Sequence, residues 1–99
     1  MAENPMDVIR DLDEPLHSII EENRAFCFEE GALSKKTKYL IALSLDASHG
    51  ATEGVKALAF EAKKNGASKD EIMEALRVAN FVSGVGCIYI AARALKDIF

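Results

Sequence analysis

Four residues near the middle of the chain have the types and spacing for proton-transfer chemistry: Tyr39, Asp46, His49 and Glu53. With Ala42, the first three stand at offsets of three, seven and ten, which reads as one stripe of a helix. Glu53 comes just after Gly50, where it falls in the first turn of a following helix. Histidine changes charge near neutral pH and a carboxylate beside it orients its ring, so His49 with Asp46 suits general acid–base work. His, Asp and Glu are also adequate ligands for a divalent metal, but three ligands at so loose a spacing do not define a metal site, and no metal or cofactor is expected. A structural reading of the same residues stands beside the chemical one. Asp46 caps or pairs, His49 sits at a helix C-terminus that favours its cation, and Glu53 complements a helix N-terminus.

The two cysteines, Cys27 and Cys87, are far apart and fit neither a disulfide framework nor a zinc site. Both lie in apolar runs, which predicts buried structural thiols. Cys87 has a second reading. It follows Gly84-Val85-Gly86 at the start of a helix, a place that favours thiolate, so it is a candidate one-cysteine nucleophile without a resolving partner. The Gly-Val-Gly break itself is no phosphate loop, because no strand precedes it and no lysine follows. His17 is expected to form a surface pair with Glu21, four residues on.

The elements that carry these residues are helices throughout, since no run of strict alternation is long enough for a strand. Residues 1–5 read as frayed, followed by a short helix from 6 to 12. Asp13 caps a helix that tolerates Pro15 in its first turn, buries Leu16, Ile19, Ile20, Asn23, Phe26 and Cys27, and ends at Gly31 by positive φ. Ser34 caps the next helix, which breaks at Gly50. The helix after it buries Val55, Leu58, Ala59 and Ala62 and closes at Asn65-Gly66. Ser68 to Glu71 form a capping box for a helix carrying Ile72, Leu76 and Ala79, and a last helix starts at Cys87.

At 99 residues, 49% apolar and 28% charged, the chain has the composition of one globular all-α domain spanning residues 1–99. A net charge of −4 offers no field for nucleic acid, and the lysines at Lys35, Lys36 and Lys38 read as a solvated first turn. The start has no signal-like segment, and the most apolar window is too short to span a bilayer. A cytoplasmic protein without a membrane partner is expected. The last helix is apolar nearly all round, and Phe60 falls on the lysine side of its own helix. Both point to self-association, because a chain this short rarely buries such surface alone.

Two stretches carry a resemblance to a known family. One is Gly31-Ala32-Leu33-Ser34-Lys35-Lys36-Thr37-Lys38-Tyr39-Leu40-Ile41-Ala42-Leu43-Ser44, and the other is Ala62-Lys63-Lys64-Asn65-Gly66-Ala67-Ser68-Lys69-Asp70-Glu71-Ile72-Met73-Glu74-Ala75-Leu76. Together they resemble the carboxymuconolactone decarboxylase-like family, which includes the alkylhydroperoxidase D-like proteins. The resemblance implies about six helices around a central antiparallel hairpin, assembly as a trimer or hexamer, and a peroxidase-type antioxidant role on a small-molecule substrate.

In the redox branch of that family a Cys-x-x-Cys opens the second hairpin helix, a His follows four residues later, and a Glu lies on the preceding helix. A helix N-terminus stabilises thiolate, two cysteines close a disulfide, and Glu and His relay the proton. Counted back from Gly66, those positions hold Tyr39, Ala51, Gly54 and Leu58, none of them the functional residue. The resemblance therefore leaves three expectations open. The chain is a family member whose redox mechanism is altered, a decarboxylase-like acid–base enzyme with a site moved to Tyr39, Asp46, His49 and Glu53, or an oligomeric binding module without catalysis.

Overall fold

The structure is a computed structural model that describes residues 4–99. Six helices follow one another: α1 (Pro5–Leu12), α2 (Glu14–Phe28), α3 (Lys35–Ser48), α4 (Thr52–Lys64), α5 (Lys69–Ser83) and α6 (Gly86–Leu95). No strand occurs among the described residues, and no helix is long and apolar enough to cross a membrane. The expected all-α architecture and its central antiparallel hairpin are both present, the hairpin being α3 and α4.

Local chemistry sets most boundaries. Ser34 accepts the Thr37 N–H at 3.2 Å to start α3, and Ser68 accepts the Glu71 N–H at 3.0 Å to start α5. The Glu71 carboxylate in turn accepts the Ser68 N–H at 2.9 Å, which completes the capping box. Gly50 and Gly66 take φ of +78° and +93° at the ends of α3 and α4, a region that a side chain would strain. Two expected boundaries differ. Asn4 caps α1 and Pro5 begins it, so only residues 1–3 of the segment read as frayed remain, and these lie outside the described residues. Gly31 has no positive φ, because α2 has already ended at Phe28 and the chain is extended at Glu29.

The core runs through α3, α4, α5 and α6. Leu43, Val55, Ile72 and Leu76 are its largest fully buried side chains, and alanines supply most of the rest. Val55, Ala59 and Ala62 of α4 are buried as expected, while Leu58 is half-buried and packs on the core from its edge. Cys87 is buried beside Ala91 and Ala94 of α6. The first two helices depart from expectation. No residue of α1 or α2 is buried, so Leu16, Ile19 and Phe26 stand in solvent and Cys27 is an exposed free thiol. Their helical spacing marks a shared face correctly, but that face turns away from the bundle. Glu21 pairs with Arg24 at 3.7 Å, in place of the expected pairing with His17.

An ion pair ties the hairpin to α5. Lys36 Nζ donates to Glu71 at 2.8 Å, and that bond, followed by the one from the Ser68 N–H, holds the Glu71 carboxyl below its ordinary value. A carboxyl depressed in the folded state adds stability above its unfolded pKa and loses it as pH falls through the folded value. Glu71→Gln keeps an amide oxygen for the cap but loses the charge. Its melting temperature should fall below that of the parent at pH 7, with the gap closing below the ordinary glutamate range of about 4.3. Equal gaps at pH 7 and pH 3 in thermal melts would refute the linkage.

Candidate functional site

The junction between α3 and α4 carries the four positions where a thiol relay was sought. Ala51 precedes α4 and makes no side-chain cap. Gly54 lies in the first turn of α4, and the Asp46 carboxylate packs directly over it. A Cβ built on Gly54 would collide with Asp46 Oδ2 and lie 2.9 Å from Asp46 Cγ. A cysteine at this position would need the carboxylate to move. Tyr39 is half-buried and stacks on Phe28 of α2, with ring centroids 4.5 Å apart and planes 14° from parallel. Leu58 belongs to the edge of the core.

The acid–base candidates divide between two places. Asp46 faces the start of α4, Glu53 is exposed in the first turn of α4, and Tyr39 faces α2. His49 stands apart from them. It caps α3, its N–H donating to the Leu45 carbonyl at 3.0 Å, and its side chain lines a cleft between α3 and α5. Among the described residues no three His, Cys, Asp or Glu side chains cluster so as to hold a metal. Cys87 is 4% exposed inside the core and does not line that cleft.

The cleft has a volume of about 630 Å³, within the usual range for a small-molecule site. Leu40, Ile41, Leu45, Val78 and Val82 form its apolar walls, and no carboxylate, lysine or arginine lines it. At one end Ser83 Oγ donates to Ser48 Oγ at 2.8 Å, and Ser48 Oγ donates to the Ser44 carbonyl at 3.0 Å. Ser44 Oγ reaches the Ala75 carbonyl of α5 at 3.4 Å. His49 follows Ser48 in the chain, is exposed, and is the only titratable side chain of the lining. An imidazole and a directed pair of hydroxyls at the end of an apolar slot can hold the polar end of a small molecule and move a proton to or from it. The serines were not among the sequence candidates. Their signal is present on α3, where Thr37, Leu40, Ile41, Ser44, Leu45 and Ser48 fall at i, i+3, i+4, i+7, i+8 and i+11.

A model of the carboxymuconolactone decarboxylase family matches residues 15–97, which takes in α3 to α6 and all but the first residue of α2. No curated protein and no solved structure matches the chain.

The contact between Asp46 and Gly54 makes a coupling prediction. Exchanging a helical glycine for alanine ordinarily stabilises, by up to about 1 kcal/mol. Here the new methyl would meet the free end of the Asp46 side chain, so Gly54→Ala should stabilise by less than that, because the carboxylate must turn aside. In an Asp46→Ala background the same exchange should recover its ordinary gain. Urea unfolding of the four proteins measures the coupling, and additive effects would show that the carboxylate moves aside without cost.

Proposed function

The chain belongs to the carboxymuconolactone decarboxylase family, and on that premise we propose that it is a homo-oligomeric, cytoplasmic member whose working site is the α3–α5 cleft rather than a cysteine pair. The cleft carries this reading. It offers apolar walls to the body of a small molecule and sets His49, Ser48 and Ser83 at one end for a carbonyl or carboxylate group. The imidazole then acts as the proton-handling group, and the serine hydroxyls orient the bound polar end.

Thiol chemistry finds no comparable support. Ala51 and Gly54 supply no sulfur, the space over Gly54 is taken by Asp46, and Cys87 is enclosed by the core. The family's peroxidase-type role would have to run without its usual groups. Assembly is supported by large apolar side chains left exposed outside the cleft, among them Phe26 of α2, Phe81 and Tyr89. Two free thiols suit a reducing compartment. A second reading, binding without turnover, draws on Tyr39 and Asp46, whose side chains are engaged in packing against Phe28 and Gly54.

The purified protein should show no thiol-dependent reduction of an alkyl hydroperoxide, and Cys87→Ser should change nothing. Val78→Trp, which fills the cleft, should weaken binding of a naphthalene-sized fluorescent probe at least about tenfold. Peroxide turnover abolished by Cys87→Ser would overturn the reading in favour of a one-cysteine peroxidase. Probe binding indifferent to Val78→Trp would remove the cleft as the site.

A further inference from the structure

The orientation of α2 is the reverse of what an isolated monomer needs. Its half-buried residues, His17, Ile20, Glu21 and Phe28, lie on the side turned to its neighbours, α1 and α3. Leu16, Ile19 and Phe26 lie on another side, and Phe26 is 74% exposed. A helix that packs its mixed side inward and shows its apolar stripe outward has that stripe free for a second surface. The stripe is edged by acid. Glu22 stands four residues before Phe26 on the same side of the helix, and Glu29, three residues after it, is the C-cap.

The charge of the chain is divided in the same way. Residues 4–30 carry eight acidic side chains against two arginines, whereas residues 32–99 carry ten lysines and arginines against seven acids. On the basic part, a second groove of about 390 Å³ runs between α5 and α6, floored by Met73, Ile88, Leu95 and Phe99. Lys69 and Lys96 line it, and neither is in an ion pair among the described residues. Lys63 adds a third cation at its end, 5.1 Å from the centre of the Phe99 ring. The groove is apolar inside and cationic at its rim, the complement of the α2 stripe.

We propose that the α2 stripe of one protomer docks in the α5–α6 groove of a second copy of this chain, with Glu22 and Glu29 meeting Lys69 and Lys96. The lengths agree, since Leu16 to Phe26 spans about 15 Å of helix and the ten residues of α6 span about the same. The arm of the same protomer does not serve, because α2 packs on α1 and α3 while the groove lies on α5 and α6. The α3–α5 cleft does not serve either, since no lysine or arginine lines it to answer the carboxylates. Stripe and groove are different surfaces, so the contact is heterologous and closes as a ring or as a reciprocal exchange of arms.

This inference rests on the homo-oligomer proposed above and names the surfaces that form it. The test is the mass in solution of full-length protein and charge-reversed variants, by light scattering at low salt, with helicity checked by circular dichroism. The parent should be an oligomer. Lys69→Glu with Lys96→Glu, and separately Glu22→Lys with Glu29→Lys, should each shift it to monomer at the same concentration. The variant with all four changes should recover the oligomer. A parent that is monomeric would defeat both the assembly and this contact. An oligomer that persists in both double variants, or that the fourfold variant fails to recover, would overturn the arm-in-groove contact and leave assembly to another surface.

Discussion

Two antiparallel helices joined by three residues are forced to lie close, and how close depends on the smallest side chains between them. In α3 and α4 those are Ala47, Ala59 and Ala62, with Leu43 and Val55 filling the space around them. Gly50 makes the tight reversal possible through its positive φ. The remaining core is arranged on this pair, with α5 packed on α3 and α6 packed mainly on α4. Because the seam admits only small groups, bulky or polar side chains of either helix are driven to its ends and its outer faces.

That constraint shapes the chemistry open to the chain. At the turn end of the seam, the Asp46 carboxylate lies in the space that a Cβ on Gly54 would occupy. The carboxylate is partly shielded there, and it has become part of the packing. On the outer face of α3 the situation is the opposite. Small hydroxyls at Ser44 and Ser48, met by Ser83 of α5, leave a slot that the flanking leucines and valines line but do not fill. The space available to a ligand therefore lies across α3 from the junction where a thiol relay would sit. His49 reaches the slot because it caps α3 at the point where the helix stops.

The helix ends were legible in the sequence because they depend on neighbours a few residues apart. Ser34, Ser68 with Glu71, Gly50 and Gly66 each act within one turn. The buried face of α4 and the Ile72, Leu76, Ala79 stripe of α5 followed from periodicity for the same reason. The candidate site was less legible, and a small angular error explains part of it. Ten residues of helix bring a side chain back to within about 80° of its start, not onto the same line. Tyr39 and His49, read as one stripe, thus end on different sides of α3, one against Phe28 and the other at the cleft. The Ser48–Ser83 bond joins residues 35 apart in sequence, and only packing brings them together. The direction in which α2 turns its apolar face was equally hidden, since spacing shows which residues share a face but not what that face meets.

The division of the core among helices also bears on the order in which a ribosome delivers them. Translation supplies domains from the N-terminus onward at about 5–20 residues per second. α1 and α2 are made before the other four helices described and contribute no buried residue, so they give the nascent chain no nucleus on which to condense. The seam between α3 and α4 forms next, yet its flank stays open until Cys87, Ala91 and Ala94 of α6 arrive. Of the six helices described, α6 is made after the other five and closes the core. Between the completion of α4 and that of α6 the chain is therefore a partly folded hairpin preceded by an apolar arm, the kind of intermediate that holding chaperones engage.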